Sequence, residues 1–248
     1  HGAAELSMSA LLMRRYMHEH GLKAQDFAAF PVNAHRNALS SPRAMYRRGI
    51  TPEAYASSAM LADPISLLDS SSFCDGGAAL VLGPVSYDKE HRRPDVRILS
   101  SVGVSGPSPH AAKDPLFLEA AAGRVSKALS RAGVSREQVD LFELHDAYSI
   151  LAALSLEAAG FSERGRAVAM AKDGFIRLDG DLPASTCGGL KARGNPLGAT
   201  GVYQVVEAYE QLAGLAAASQ VKNASTALVQ NLAYVGSNAF THVLRREA

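Results

Sequence analysis

Two stretches of this 248-residue chain hold residue types that could do chemistry by hydrogen bonding or proton transfer: His145-Asp146-Ala147-Tyr148, and Asn195 within Cys187–Gly201. A histidine where a strand hands over to a helix can donate a hydrogen bond or move a proton near neutral pH. It can equally be a structural ring satisfied by Asp146 beside it. Asn195 is a neutral amide. It cannot act as a general base, but it can donate a hydrogen bond to an enolate or oxyanion. Its plainer role would be to cap the helix that starts beyond Pro196. Five of the fifteen residues from Cys187 to Gly201 are glycine. That density marks positive φ or close approach to a ligand. A glycine-rich loop opening a helix also points free backbone N–H groups at whatever lies above it. The alternative is a tight loop packed under a neighbouring strand. Cys187 and Cys74 have no base nearby in sequence and read as structural thiols.

The elements that must position these residues follow from periodicity. Leu6, Ala10, Met13 and Met17 recur at helical spacing over 4–20, and Gly21 supplies a stop. Residues 27–42 read as loop with at most a short element. Thr51-Pro52-Glu53 starts a short helix to about Ser57. Asp63-Pro64 breaks a mixed stretch from Met60 to Leu68. Asp75-Gly76-Gly77 leads into Ala-Ala-Leu-Val-Leu, an apolar run that suits a strand buried on both faces. The polar residues 84–94 read as a domain boundary. Val96–Val104 reads as a strand, 105–114 as a long loop, and 115–132 as a helix ended by Gly133. Val139–Leu144 reads as a strand, Tyr148–Ala159 as a helix, and 161–183 as irregular. A helix follows the glycine-rich loop (Val202, Val205, Val206, Tyr209, Leu212). Strands over 225–233 and 238–245 flank a Tyr-Val-Gly-Ser turn. Alternating strands and helices imply a layered α/β sheet with ligands at strand C-termini and helix N-termini. His145 and Asn195 fall at such positions.

Bulk properties narrow the function classes. Hydrophobic residues make up 47%, charged residues 20%, and the net charge is +1. A near-neutral chain with scattered arginine pairs argues against nucleic acid as the main partner. Two cysteines give neither a disulfide framework nor a four-ligand metal spacing, so no metal is expected and a reducing, cytoplasmic setting is the default. No apolar run approaches the length of a membrane span, and no signal-peptide pattern opens the chain. The chain begins with His1, which points to processing or to a longer parent.

Gly194-Asn195-Pro196-Leu197-Gly198-Ala199-Thr200-Gly201 resembles the Gly-His-Pro-x-Gly-Ala-Thr-Gly signature of thiolases, with Asn195 where the family has its catalytic histidine. The preceding Gly188-Gly189-Leu190-Lys191-Ala192-Arg193 is similar to the sterol-carrier-protein-type branch. His145-Asp146-Ala147-Tyr148 resembles that branch's His-Asp-Cys/Ala-Phe block. Residues 33–43, Asp63-Pro64 and Asp75–Leu82 resemble its loop region and following strand. Gln230 to Asn238 is similar to the last thiolase block, with Gln230 at the position of a second reactive cysteine or histidine. Ser71 precedes Asp75-Gly76 as a coenzyme-A-contacting serine does in many thiolases.

The resemblance covers the chain and implies a thiolase fold, layered α/β with a mixed five-stranded sheet. Residues 1–72 would be the end of the loop domain, 73–94 the tail of the N-terminal half, and 95–248 a complete C-terminal half. The chain would be N-terminally incomplete, with the nucleophilic cysteine upstream. The implied chemistry is Claisen condensation, or thiolysis of a 3-ketoacyl-CoA, in lipid or sterol metabolism. His145, Asn195 and Gln230 would be catalytic; Ser71, Ala147, Tyr148, Gly198 and Tyr234 would contact the CoA thioester. No permanently bound cofactor is expected, and a homodimer or higher homo-oligomer is implied. Two other readings stand beside this one. Because Asn195 and Gln230 lack acid/base capacity, the fold would suit a retro-aldolase acting on CoA esters with an OB-fold, zinc-ribbon partner, using Tyr148 or Tyr234 for the proton. Otherwise the chain is a catalytically inert acyl-CoA-binding subunit.

Overall fold

A computed structural model describes residues 4–84, 96–106 and 112–247. The helices are α1 (Glu5–His20), α2 (Ala29–Ala38), α3 (Pro52–Ala56), α4 (Glu119–Ala132), α5 (Ser149–Ala158), α6 (Ala167–Lys172) and α7 (Thr200–Leu212). The strands are β1 (Met60–Ala62), β2 (Ile65–Ser66), β3 (Val96–Ser105), β4 (Leu141–Glu143), β5 (Thr226–Ala233) and β6 (Asn238–Arg246). Strands β1 and β2 form a small antiparallel pair. The main sheet runs β3-β6-β5-β4. Its β3–β6 and β5–β6 pairs are antiparallel and β4–β5 is parallel, which makes it mixed as expected. It has four strands among the described residues rather than five. Beyond β4 a single parallel bridge joins Phe142 to Ala184, too short to make another strand.

Alternation along β5 divides the core into two layers, because successive strand side chains point to opposite faces. Ala227 and Val229 pack with Val205, Ala208 and Leu212 of α7. Leu228 and Leu232 face the other way, into a larger core with Ala121 and Val125 of α4 and Ile150 and Leu154 of α5. Helix α5 is buried on nearly every side, with Glu157 alone half-exposed between Ser149 and Ala159. A helix apolar all round belongs at the centre of a fold, and burying each leucine contributes about 1.5–3 kcal/mol. It is held by α1, α4 and α6.

Three expectations need correction. Residues 27–42 contain α2, ten residues long. Its inner face carries asparagines one turn apart: Asn33 donates to the carbonyls of Ile176 and Ala184, and Asn37 to those of Ala184 and Ser185, at 3.1–3.2 Å. Its buried apolar row is short and mostly alanine (Phe30, Ala34, Ala38) and is interleaved with these amides, so the periodic signal is weak. Residues 78–82 are not a buried strand. They pair with nothing among the described residues, and Val81 and Leu82 are exposed, because two-sided burial needs neighbours that this segment lacks here. The 161–183 stretch contains α6. The boundary placed at 84–94 lies almost wholly outside the described residues.

Candidate active site

The parallel pairing of β4 and β5 brings their C-terminal ends to one side of the sheet, beside the start of α7. His145 follows β4 by two residues, Asn231 lies near the end of β5, and Gln204 sits in the first turns of α7. Gln204 is buried in the seam. Its Nε2 lies 3.2 Å from the Glu143 carbonyl, 2.9 Å from that of Leu144 and 3.1 Å from that of Gln230. Asn231 Nδ2 lies 2.9 Å from Gln204 Oε1 and 3.2 Å from His145 Nδ1. His145 is buried, and desolvation, helped by the cations of Arg193 and Lys191, pushes its pKa down to about 3. The ring is therefore neutral throughout the physiological range. It is a hydrogen-bonding group there, not a proton carrier.

Asn195 joins three segments. Its backbone N–H donates to Ser72 O at 2.8 Å, and its carbonyl accepts from Cys74 N at 3.3 Å. Its side-chain oxygen accepts from Leu197 N at 3.1 Å and Thr200 Oγ1 at 2.9 Å, which caps the start of α7. Its Nδ2 donates to Ser71 Oγ at 3.1 Å. Ser71 N in turn donates to Ala147 O at 2.7 Å. Capping and an outward hydrogen are thus compatible, since the cap uses the amide oxygen and leaves one Nδ2 hydrogen beyond the bond to Ser71.

Asp146 serves the glycine-rich loop rather than His145. Its Oδ1 accepts from Leu190 N at 2.7 Å, and a Cβ at Gly189 (φ +53°) would meet its carboxylate at 2.4 Å. Buried charges clamp the same loop. Lys191 Nζ donates to Asp69 O. Burial pushes the Lys191 ammonium down to about 8, with Asp146 and Asp69 opposing that shift. Arg193 Nε lies 2.8 Å from Glu207 Oε1 and its guanidinium stacks 4.8 Å over the Tyr203 ring. Glu143, raised by burial and then by Glu207, accepts from Thr186 N at 3.0 Å and Thr186 Oγ1 at 2.5 Å. Burial raises the Cys187 thiol, so it is an inert structural group.

Ser71, Ala147 and Asn195 are therefore joined directly, two residues from His145. Tyr148 is the residue before α5; its phenol is pushed up by burial and then by Glu5. Gly198 is exposed beside Asn195, with no atom within 4 Å of where a Cβ would sit. Gln230 is not brought to this group. It lies on the opposite sheet face, its Nε2 3.4 Å from Ala121 O, because neighbours on a strand alternate. Tyr234 sits at the hairpin tip with φ +46° and is 41% exposed. Sequence reasoning missed two residues here: Asn231, which contacts His145, and Gln204, which holds Asn231. Their signal was polarity at inward positions: Gln204 precedes Val205 on the apolar face of α7, and Asn231 shares the alternation of Ala227 and Val229. Among the described residues, no group of three or more His, Cys, Asp and Glu side chains is placed to hold a metal, and no helix is long and apolar enough to cross a membrane.

A neutral imidazole and a capping amide at the start of α7 are groups able to donate hydrogen bonds to an oxygen, carried on a mixed α/β sheet. Residues 101–246 match the family described as thiolase C-terminal domain-like, and the chain belongs to the thiolase family. It is 37% identical over 241 residues to the acetyl-CoA acetyltransferase of Methanothermobacter thermautotrophicus, covering 97% of this chain and 63% of that protein. It is 28% identical over 235 residues to sterol carrier protein 2 of Oryctolagus cuniculus, covering 92% of this chain and 43% of that protein. A solved Ltp2-ChsH2(DUF35) aldolase matches with TM-score 0.86 at 21% identity, covering 98% of this chain and 64% of that one, a likeness of fold. The chain thus spans less than two thirds of the length of each of these proteins.

Proposed function

We propose that this chain forms the charge-stabilising side of a thiolase-type acyltransferase site that handles acyl-CoA thioesters, by Claisen condensation or by thiolysis of a 3-ketoacyl-CoA. The observation that carries this reading is His145, a buried neutral ring whose Nδ1 is engaged by Asn231. With Asn231 Nδ2 as the donor to Nδ1, the ring proton is on Nε2, and Nε2 bonds no protein atom among the described residues. An N–H of that kind suits a thioester oxygen that becomes an oxyanion or enolate. The free hydrogen of Asn195 is the second donor. Ser71, which accepts from Asn195, Ala147, which accepts from Ser71, and with them Tyr148 and Gly198 are assigned to the CoA ester. The acyl-accepting thiolate is assigned to a cysteine elsewhere in the assembled protein, since Cys187 is buried with a raised pKa.

In the full-length protein, His145→Ala is expected to lower kcat for thiolysis of acetoacetyl-CoA by about 100–1,000-fold, the usual cost of one oxyanion donor. Unchanged kinetics would remove His145 from the mechanism. A second reading, retro-aldol cleavage of a CoA ester beside an OB-fold, zinc-ribbon partner, is favoured by one feature. Asn195 offers an amide where activation of a cysteine would need a base. Enolate stabilisation by His145 and Asn195 serves that reaction equally, and it needs no acyl-cysteine. Iodoacetamide separates the two: it abolishes acyl transfer and leaves aldol cleavage intact.

A further inference from the structure

We propose that Gln204 is a positioning residue that decides, through Asn231, which nitrogen of His145 carries the proton. The inference rests on the reading of His145 as an oxyanion donor and adds the group that makes it one. The argument starts at three backbone carbonyls. Those of Glu143, Leu144 and Gln230 converge within 2.9–3.2 Å of one terminal atom of the Gln204 amide. That atom must be nitrogen, because an oxygen there would face three acceptors at contact distance with no proton between them. The other terminal atom is therefore the acceptor-only Oε1.

Oε1 lies 2.9 Å from a side-chain terminal atom of Asn231, which must then be a donor, Nδ2. The same Nδ2 lies 3.2 Å from His145 Nδ1. Its two hydrogens serve these two acceptors, so Nδ1 presents its lone pair. A neutral imidazole holds one proton, and it is left on Nε2. A fixed feature of the backbone thus propagates through two amides to a ring that the backbone never touches. Each step is enforced by the cost of placing two acceptors, or two donors, face to face, highest at the buried ends of the relay, Gln204 and His145.

Gln204 also closes the seam between α7 and the ends of β4 and β5, so loss of activity alone would not separate positioning from packing. The tautomer does. Long-range 1H–15N correlation of histidine-labelled full-length protein is expected to show His145 Nε2 pyrrole-like and Nδ1 pyridine-like from pH 6 to pH 8. In Gln204→Met, Asn231 is free to turn either face to the ring. Both nitrogens are expected to move to intermediate shifts as two tautomers exchange. The value of kcat should fall about twofold to tenfold as the donor-competent fraction drops, with KM for the CoA ester within about twofold. If Gln204→Met fails to fold, Asn231→Leu cuts the same relay at its second link, at a partly buried position, and leaves the three carbonyls paired. A wild-type ring protonated on Nδ1, or variants that keep the ring wholly protonated on Nε2, would overturn the proposal. Full activity in His145→Ala alongside the expected tautomer shifts would sink the reading of His145 as an oxyanion donor and leave the relay standing.

Discussion

Acidification should destabilise this protein through His145 by an amount that can be worked out. The unfolded ring takes up a proton near its ordinary pKa of 6.5, whereas burial holds the folded ring neutral down to about pH 3. Between those values the unfolded state binds more protons, so stability falls as the pH is lowered through 6.5 and goes on falling until pH 3. At pH 5 the unfolded ring is almost fully charged and the folded ring is not. One and a half pH units below 6.5, at 1.36 kcal/mol each, amount to about 2 kcal/mol relative to pH 7. Burial lowers His35 and His242 too, so the pH dependence of the wild type alone is a mixture. The informative quantity is a difference. Urea unfolding of the wild-type protein and of His145→Gln at pH 7 and pH 5 should show the wild type losing about 2 kcal/mol more than the variant. Equal losses would mean that the ring is charged or solvated in the folded state. The neutral-donor argument would then fail with it.

Lys191→Met removes the buried cation that Asp69 and Asp146 share and leaves those carboxylates with hydrogen bonds but without that charge; a loss of about 3–5 kcal/mol is expected in denaturant melts, and a loss under about 1 kcal/mol would show the charges to be solvated. Two glycines of the same loop should behave oppositely. Gly188 has φ +107° and its Cβ would lie 2.7 Å from that of Ala38, so Gly188→Ala should cost about 2 kcal/mol or more in thermal or urea unfolding. At Gly198 a Cβ meets open space, so Gly198→Ala should leave stability within about 0.5 kcal/mol. It should still raise KM for the CoA ester by about tenfold, as one methyl in a ligand's path would; an unchanged KM would remove Gly198 from the binding surface.

Much of the C-terminal part was legible from sequence. Gly133 ends α4 at φ +63°, the glycine-rich loop hands over to α7, and the last two strands pair across the Tyr-Val-Gly-Ser turn, all from local chemistry. His145 and Asn195 were legible as candidates because loop residues at element ends are exposed to short-range rules of composition and capping. What the sequence by itself determined was therefore the local conformation, the family motifs and the residue types on offer. The tertiary structure alone decided their partners. Asn33 and Asn37 make a buried helix out of residues that read as loop, because their acceptors are carbonyls about 140–150 residues away. Gln230 and Asn231 are neighbours in the chain, yet strand alternation sends one beneath α4 and the other to His145. Asp146 sits beside His145 in sequence and spends its carboxylate on Leu190. Hydrogen-bond satisfaction in a buried site is a property of what converges there in space, and linear spacing carries no record of three carbonyls from two strands meeting one amide of a third element.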